Sequence, residues 1–471
     1  MFQEEQLSNL KIILKFCQQD QQEVFIVGGA IRDYLAGKEF NDIDLVLKRR
    51  VAETARYFAD VTSGHLVILD QERKVYRVVQ PEGSYDFTQL KGKKIEDDLR
   101  ERDFTVNAMA YPLTLLMFKV SGINRSNLID PYAGWPDLQQ RTLRVVTTGV
   151  FKRDPLRLWR GLRLKGSLTL DFDLPTAKII IQQATLCSRP AAERIRQELV
   201  QIFSLPNTAE LIRLGEERFA LFSNLIPLIR VMKKTGQNSY HHEDLWTHTI
   251  LVLEKLQQLL ADQERLSDLI SAQFPFKLLY LIKIAAFLHD IGKTESRQEK
   301  DGQVHYYGHE KSGARLARQL LQRCRFGKKE IKTVETLVSL HMRPLYLSLA
   351  EQLTERGLYR FFREAGDLTP VVLLLSLADQ SAGRELNQRE EGIPAYRRYM
   401  IELAQKYQLI RQRGSSLLLS GQELQEIFFL EEGPQIGRLL EKLKEAQALD
   451  RVRTKREAIN YLRKMVRTEY S

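Results

Sequence analysis

The sequence runs to 471 residues, 28% charged and 43% hydrophobic, a globular balance that excludes a disordered chain and leaves room for roughly three or four domains. Its formal net charge of +11 favours a polyanionic partner. No apolar run approaches the ~18 residues of a membrane span, MFQEEQLSNLK lacks an apolar signal core, and Cys17, Cys187 and Cys324 lie too far apart for a disulfide framework, so a cytoplasmic protein without a membrane partner is expected.

Strand-like runs are confined to residues 23–120: EVFIVGG, IDLVL, HLVIL, VYRVVQ and NAMAYPL, separated by Gly, Asp and Pro. They predict a small mixed sheet with helices. From about Pro131 the pattern turns helical, as in PLRLWRGLRLKG and AAERIRQELVQIF, and stays so to the end. The expected fold class is α+β in front and all-α behind. Periodicity lapses at 169–175, 203–208, 233–242 and 381–394, where Gly, Pro or Asn accumulate.

VFIVGG reads as a strand entering a turn at Gly28-Gly29. Residues without side chains let backbone N–H groups approach a phosphate there, and a helix starting at Ala30 adds the positive end of its dipole. In NDIDLVL, Asp42 and Asp44 lie one residue apart on an extended segment, so both carboxylates point to one face. Two like charges side by side are costly unless a cation lies between them, and hard oxygen ligands of this kind suit Mg²⁺. Such a pair can hold the metal that activates an attacking hydroxyl and neutralises leaving pyrophosphate.

Between Arg141 and Lys165 stand eight Lys/Arg and one acid, Asp154. Arg157, Arg160 and Arg163 recur every third residue beyond Pro155 and line one side of a helix. Asp154 and Arg157 together offer acceptors and donors, which the hydrogen-bonding edge of a base requires and a purely electrostatic patch does not.

GGAIRD with DID, ERDFTVNAMAY (101–111), IDPYAGWPDLQQRTLR (129–144), RDPLRLWRGLRL (153–164) and ERIRQEL (193–199) resemble, in order and spacing, the motif series of class II tRNA nucleotidyltransferases and bacterial poly(A) polymerases. The resemblance covers roughly the first 205 residues. It implies a nucleotidyltransferase head followed by a helical neck, and template-free addition of CMP or AMP from CTP or ATP to the 3′ end of tRNA. On that pattern Gly28, Gly29, Arg32 and Asp33 belong to the triphosphate site and Asp42 and Asp44 to the Mg²⁺ site. Arg102 and Asp103 would contact the nucleotide sugar and phosphates, with Asn107 nearby. Asp154 and Arg157 would read the incoming base, and Arg160 and Arg163 would continue that face toward the phosphates. The chain departs from the pattern twice: the usual arginine pair before DFT is Glu101-Arg102, and the acid that often precedes Asp154 is Arg153. Few residues separate a strand end at Asp86 from Asp97-Asp98, and a short loop there resembles the CC-adding subgroup.

Further on, His248, His289-Asp290 in HDIGK, His309, His341 and Asp379 all lie in apolar, helical surroundings. Their order resembles the HD metal-dependent phosphohydrolase superfamily over about residues 240–385. An adjacent His-Asp offers nitrogen and then oxygen, so one or two divalent transition metals could share Asp290 as a bridge, with Lys293 steadying its charge. The resemblance implies 2′-nucleotidase or cyclic phosphodiesterase activity on RNA ends. His65, His241, His242 and His305 fit no slot and are read as structural or surface residues.

The tail, LSGQELQEIF through GPQIGRLLEKLKEAQALDRVRTKREAINYLRK, reads as amphipathic helices around a Gly433-Pro434 turn. It resembles the C-terminal body of bacterial tRNA nucleotidyltransferases, where tRNA is gripped. Arg451, Arg453, Lys455, Arg456, Arg463, Lys464 and Arg467 are the candidate phosphate contacts. The domains expected are a head (1–145), a neck (146–235), an HD domain (236–390) and a C-terminal helical region (391–471). Three alternatives stand beside the leading reading: a poly(A) polymerase or A-adding enzyme, an HD phosphohydrolase with a non-catalytic front domain, and a non-catalytic RNA-binding protein, which has no use for adjacent carboxylates.

Overall fold

The computed structural model describes residues 2–114, 123–238, 241–262, 278–300, 303–350, 352, 354–383, 392–413 and 417–469. They fall into two compact units. The first comprises residues 1–205 with 214–225, the second residues 206–213 with 226–471.

The first unit is built on a six-stranded sheet of β1 (Val24–Val27), β2 (Asp42–Leu47), β3 (His65–Asp70), β4 (Val75–Gln80), β5 (Gly83–Gln89) and β6 (Ala110–Pro112), in the order β3-β4-β5-β2-β1-β6. Five of the strands match the apolar runs. The remaining one, β5, is polar enough to be overlooked as a full strand, and it ends at Gln89 rather than at Asp86. It lies at the centre of the sheet, pairing parallel with β2 and antiparallel with β4. Parallel pairing needs a crossover, here supplied by helix α3 (Val51–Thr62) and the β3-β4 hairpin.

Alternation along the strands divides the sheet's faces. Ile26, Ile43, Leu45, Leu47, Val78, Tyr85 and Phe87 face one core with α1 (Glu4–Gln18) and α3. Val27 and Val46 face a smaller one with Ile95 and Leu99 of α4 (Ile95–Arg100) and with Ala108 and Ala110. Asp42 and Asp44 emerge on that second face.

The neck helix Arg157–Leu168 buries Leu158, Trp159, Leu162 and Leu164, and Trp159 Nε1 donates to Cys187 O at 2.9 Å. It crosses the head closely at Gly161, where a Cβ would come within 2.7 Å of the Phe104 ring.

The second unit is mainly helical. Helices Leu245–Ala261, Leu279–Leu288, His309–Arg323, Lys328–Leu340 and Thr369–Ala382 supply its central core, followed by Gly392–Arg413 and by Gly421–Phe428, Pro434–Ala448 and Lys455–Glu469 around a core of Leu419, Leu424, Leu439, Leu443, Val452 and Leu462. Among the described residues, two-stranded pairs interrupt the helices: 142–143 with 171–172 in the first unit, and 236–238 with 241–244 and 298–300 with 303–305 in the second. Among the described residues no helix is long and apolar enough to cross a membrane.

Candidate functional site

Gly28 follows β1 with φ +69° and precedes the seven-residue helix α2 (Gly29–Leu35), which starts one residue before the expected Ala30. The left-handed backbone is open to glycine, and space demands it too: a Cβ would lie 2.6 Å from Arg102 Nη1 and 3.1 Å from Asp44 Oδ2. The glycine turn, Arg102 and Asp44 therefore meet at one point.

Asp42 is exposed and accepts from Ser84 Oγ at 2.6 Å, while Asp44 is half-buried. The parallel register sets Asp86 of β5 directly opposite Asp44. Arg77 of β4 clasps Asp86 through two 2.7 Å bonds. Sequence reading missed both residues, because only the tertiary register brings them to the carboxylate pair. Burial pushes the Asp44 carboxyl up, and Asp86 and Asp42 push the same way against the opposing pull of Arg102. Crowded carboxylates of this kind fit a divalent cation held by Asp42 and Asp44.

A polar chain runs from this point into the neck. Arg32 donates to both oxygens of Asp33, at 2.8 and 2.7 Å, and through Nη1 to Asn107 Oδ1 at 2.5 Å. Asn107 donates to Asp103 Oδ1 at 2.9 Å, and Asp103 Oδ2 lies 2.9 Å from Arg160 Nε. Burial opposes ionisation of Asp103, but Arg160, Asn107 and the Phe104 N–H outweigh it and hold the carboxyl below its usual range. Arg102 reaches Asp98 at 3.3 Å. The turn carrying these residues is braced from behind: Thr105 Oγ1 donates to Asp137 at 2.7 Å, and a Cβ on Gly134 would strike Thr105 O at 2.1 Å. Asp130 caps that brace, accepting from the N–H groups of Gly134 and Trp135 at 2.6 and 2.8 Å.

The neck residues expected to read the base hold protein partners. Asp154 accepts from Arg194 at 2.8 and 3.3 Å. Arg157 donates through Nη2 to Glu101 O at 2.7 Å, while its Nη1 is buried without a hydrogen-bond partner. Arg157 is thus anchored by one nitrogen and free at the other. Arg163, expected to extend toward phosphates, is paired with Glu198 at 2.7 Å.

The second unit brings all six ligand-type residues together, buried. His248 Nε2 lies 2.9 Å from Asp379 Oδ1. Asp290 spans the centre: its Oδ2 is 3.3 Å from His289 Nε2, and its Oδ1 is 3.3 Å from His309 Nε2 and 3.7 Å from His341 Nε2. The Nδ1 atoms of His289, His309 and His341 face the carbonyls of Ala286, Tyr306 and Val338 at 2.8, 2.9 and 2.7 Å. A carbonyl can only accept, so those nitrogens carry protons and each Nε2 is turned toward the carboxylates, where it could serve as a metal ligand. All three Nε2 atoms are buried without a hydrogen-bond partner. Three unpartnered imidazole nitrogens grouped with two carboxylates fit one or two divalent transition metals. Lys293 Nζ meets Asp290 Oδ2 at 2.6 Å. Gly292 is the sterically required residue of HDIGK, since a Cβ would lie 2.0 Å from His309 O.

The family model for a poly A polymerase head domain matches residues 24–144, and that for an HD domain matches residues 245–383. The chain is 33% identical over 442 residues to the A-adding tRNA nucleotidyltransferase of Deinococcus radiodurans, covering 92% of this chain and 93% of the relative. It is 32% identical over 461 residues to the CC-adding tRNA nucleotidyltransferase of Thermus thermophilus, covering 94% and 93%. The chain belongs to the tRNA nucleotidyltransferase family. The fold agrees with that of solved CCA-adding enzymes: a Thermotoga maritima enzyme complexed with tRNA superposes with a TM-score of 0.62 at 20% identity, covering 99% of this chain and 96% of that one. A CCA-adding enzyme with ATP gives 0.66, also at 20% identity and with the same coverage.

For a tRNA nucleotidyltransferase the basic tail is the remaining candidate surface. Arg451, Arg456, Arg463 and Lys464 are exposed. Arg453 and Lys455 are exposed as well but pair within the tail, with Asp450 at 2.6 Å and Glu423 at 2.7 Å. The side chain of Arg467 lies outside the described residues, as do those of His241 and His242. His65 lies exposed on β3, and His305 stacks on Tyr307 at 5.1 Å.

Proposed function

We propose that this family member transfers CMP from CTP to the 3′ end of tRNA, building the CC of its terminus, with Mg²⁺ at Asp42 and Asp44. One observation carries the reading. Asp44, Gly28 and Arg102 converge on one point of the head, and Asp103, next in the chain to Arg102, is paired with Arg160 of the neck. The metal would supply activation of the attacking hydroxyl and charge neutralisation of the departing pyrophosphate. The chain's own residues do the rest. The Gly28-Gly29 turn admits the triphosphate to the backbone, Arg102 and Arg32 offer donors to its oxygens, and Asp154 with Arg157 Nη1 meets the base edge, once Arg194 yields Asp154.

CC addition is supported by the segment between β5 and α4. Only Leu90 to Lys94 intervene, and the N–H groups of Lys93 and Lys94 donate to Asp97 Oδ2 at 2.8 and 3.0 Å, so this is a capped turn rather than a long loop. A short segment of this kind is what the CC-adding resemblance implies. The test is to offer purified protein tRNAs ending before, within and after CC, with each labelled nucleotide and Mg²⁺, and to read product lengths. Addition of two C residues and no A is expected. Addition of A alone to tRNA ending in CC would replace this reading with the A-adding one, and absence of any incorporation would end both.

A second activity is supported by the HD centre: hydrolysis of phosphate esters at RNA ends, for which His248, His289, Asp290, His309, His341 and Asp379 would hold a divalent metal that would supply an activated water. Phosphate release from 2′-phosphorylated or 2′,3′-cyclic ends, lost in His289→Ala and kept in Asp44→Ala, is expected. The buried thiols of Cys17 and Cys187, unbridged, and a tRNA substrate support a cytoplasmic setting.

A further inference from the structure

Glu101 caps the C-terminus of α4, immediately before Arg102 and Asp103. Two separate parts of it reach the neck. Its carbonyl oxygen accepts from Arg157 Nη2 at 2.7 Å, and its carboxylate lies 3.5 Å from Arg153 Nε. Arg153 in turn donates through Nη2 to Thr147 Oγ1 at 2.6 Å. One head residue is therefore held from the side chain by Arg153 and holds Arg157 from the backbone. Because Arg157 is tethered at Nη2, the position of the Glu101 carbonyl fixes the direction of the buried, unpartnered Nη1. An arginine fork is planar and rigid, so a displacement at one nitrogen is transmitted to the other.

The motif resemblance described above would put a base at residue 101 and an acid at residue 153, where this chain has Glu101 and Arg153. The structure brings the two departures into contact as one ion pair.

We propose that the Glu101–Arg153 pair is a specificity clamp. Glu101 and Arg153 are positioning residues that set the aim of Arg157 at the base of the incoming nucleotide, and so set the preference between CTP and ATP. The inference rests on the reading that Arg157 meets the base.

The test uses the full-length enzyme with Arg153→Glu, Glu101→Arg and the double reversal. CTP and ATP affinities are measured by competition against a fluorescent nucleotide without tRNA, beside kcat and KM for incorporation into tRNA. Each single reversal places like charges together, so the CTP:ATP preference should move by roughly two- to fivefold, the scale set by an ion pair whose partners are 39% and 43% exposed. The double reversal should bring the ratio back toward the wild-type value. A purely structural role would lower both affinities together and leave their ratio alone. An unchanged ratio in folded single variants, or a double reversal no nearer to wild type than its parents, would overturn the clamp. Arg153→Gln and Glu101→Gln give the same readout should a reversal fail to fold. Wild-type enzyme that transfers no nucleotide to tRNA would count against the proposed function, whereas the binding ratio judges the clamp by itself.

Discussion

Arg160 of the neck helix lies 2.9 Å from Asp103 of the head, and the pair joins the Arg32–Asn107–Asp103 chain to the helix that carries Arg157. Asp103 is 4% exposed, so it depends on that counter-charge.

Replacing Arg160 by Met, which keeps the stem, should destabilise the first unit. Fully buried pairs lose about 3–5 kcal/mol when one partner is removed, and a smaller loss of roughly 2–3 kcal/mol is expected because the Arg160 side chain is 43% exposed. The difference should depend on pH. Asp103 titrates below its ordinary value when folded, so its contribution is present above the unfolded carboxylate pKa of about 4 and is lost as pH falls through the lower folded value. Urea unfolding of wild type and Arg160→Met at pH 7, and again as far below pH 4 as the fold persists, checks this. A gap that fails to narrow in acid would count against the pair.

Asp44→Asn should separate activity from stability. Its carboxyl is raised by burial and by Asp86 and Asp42, so ionisation at neutral pH works against folding, and stability falls as pH rises through the unfolded and then the folded pKa. The amide removes that penalty while losing the anionic ligand. Incorporation should fall by at least about a thousandfold, the scale at which single catalytic electrostatic groups act. The unfolding temperature in EDTA should rise, by about 2–4 °C for each kcal/mol relieved. A lowered unfolding temperature would contradict the crowding described for the carboxylates.

The HD centre predicts metal content independently of any reaction. Wild-type protein stripped with chelator and titrated with Mn²⁺ or Ni²⁺ should bind one or two equivalents and unfold at higher temperature, because binding to the folded state alone is stabilising. His341→Ala removes one of three orphaned nitrogens and should weaken uptake, and Asp290→Asn, which removes the carboxylate nearest His289, His309 and His341, should weaken it most. Elemental analysis after gel filtration gives the count. Uptake unaffected by Asp290→Asn would show that the metal lies elsewhere.

Lys283, in the apolar helix Leu279–Leu288, is 4% exposed, and burial brings its pKa from 10.5 to about 8. The unfolded chain therefore holds the proton between about pH 8 and 10.5 while the folded protein releases it, so stability should rise with pH across that window. Lys283→Met should be more stable than wild type at pH 7, with the difference shrinking toward pH 10. Parallel thermal unfolding curves across this range measure it, and a constant difference would refute the burial assignment.

Local pattern made much of this protein legible. Period-two alternation on β2 put Asp42 and Asp44 on one face, and the Gly28-Gly29 turn follows from where an apolar strand stops. The six candidate HD ligands could be named in order because HDIGK and its flanking His and Asp residues resemble the HD superfamily pattern. The extent of β5 was less legible, since a central strand reading GSYDFTQ lacks the apolar run that marks its neighbours.

The basic stretch from Arg141 to Lys165 marks the limit of a reading made along the chain. It holds one acid, yet Arg153, Arg160 and Arg163 find Glu101, Asp103 and Glu198, and Asp154 finds Arg194. Those partners lie tens of residues away. By itself the sequence determined which chemistry-bearing side chains exist, which strand or helix face they occupy, and the α+β-then-α order, because these depend on periodicities of two and 3.6 residues. Only the tertiary structure decided that Asp86 stands opposite Asp44, that Glu101 and Arg153 meet, and that Arg157 keeps one free nitrogen. Parallel register and helix crossing are set by packing between segments distant in sequence, and no local period records them.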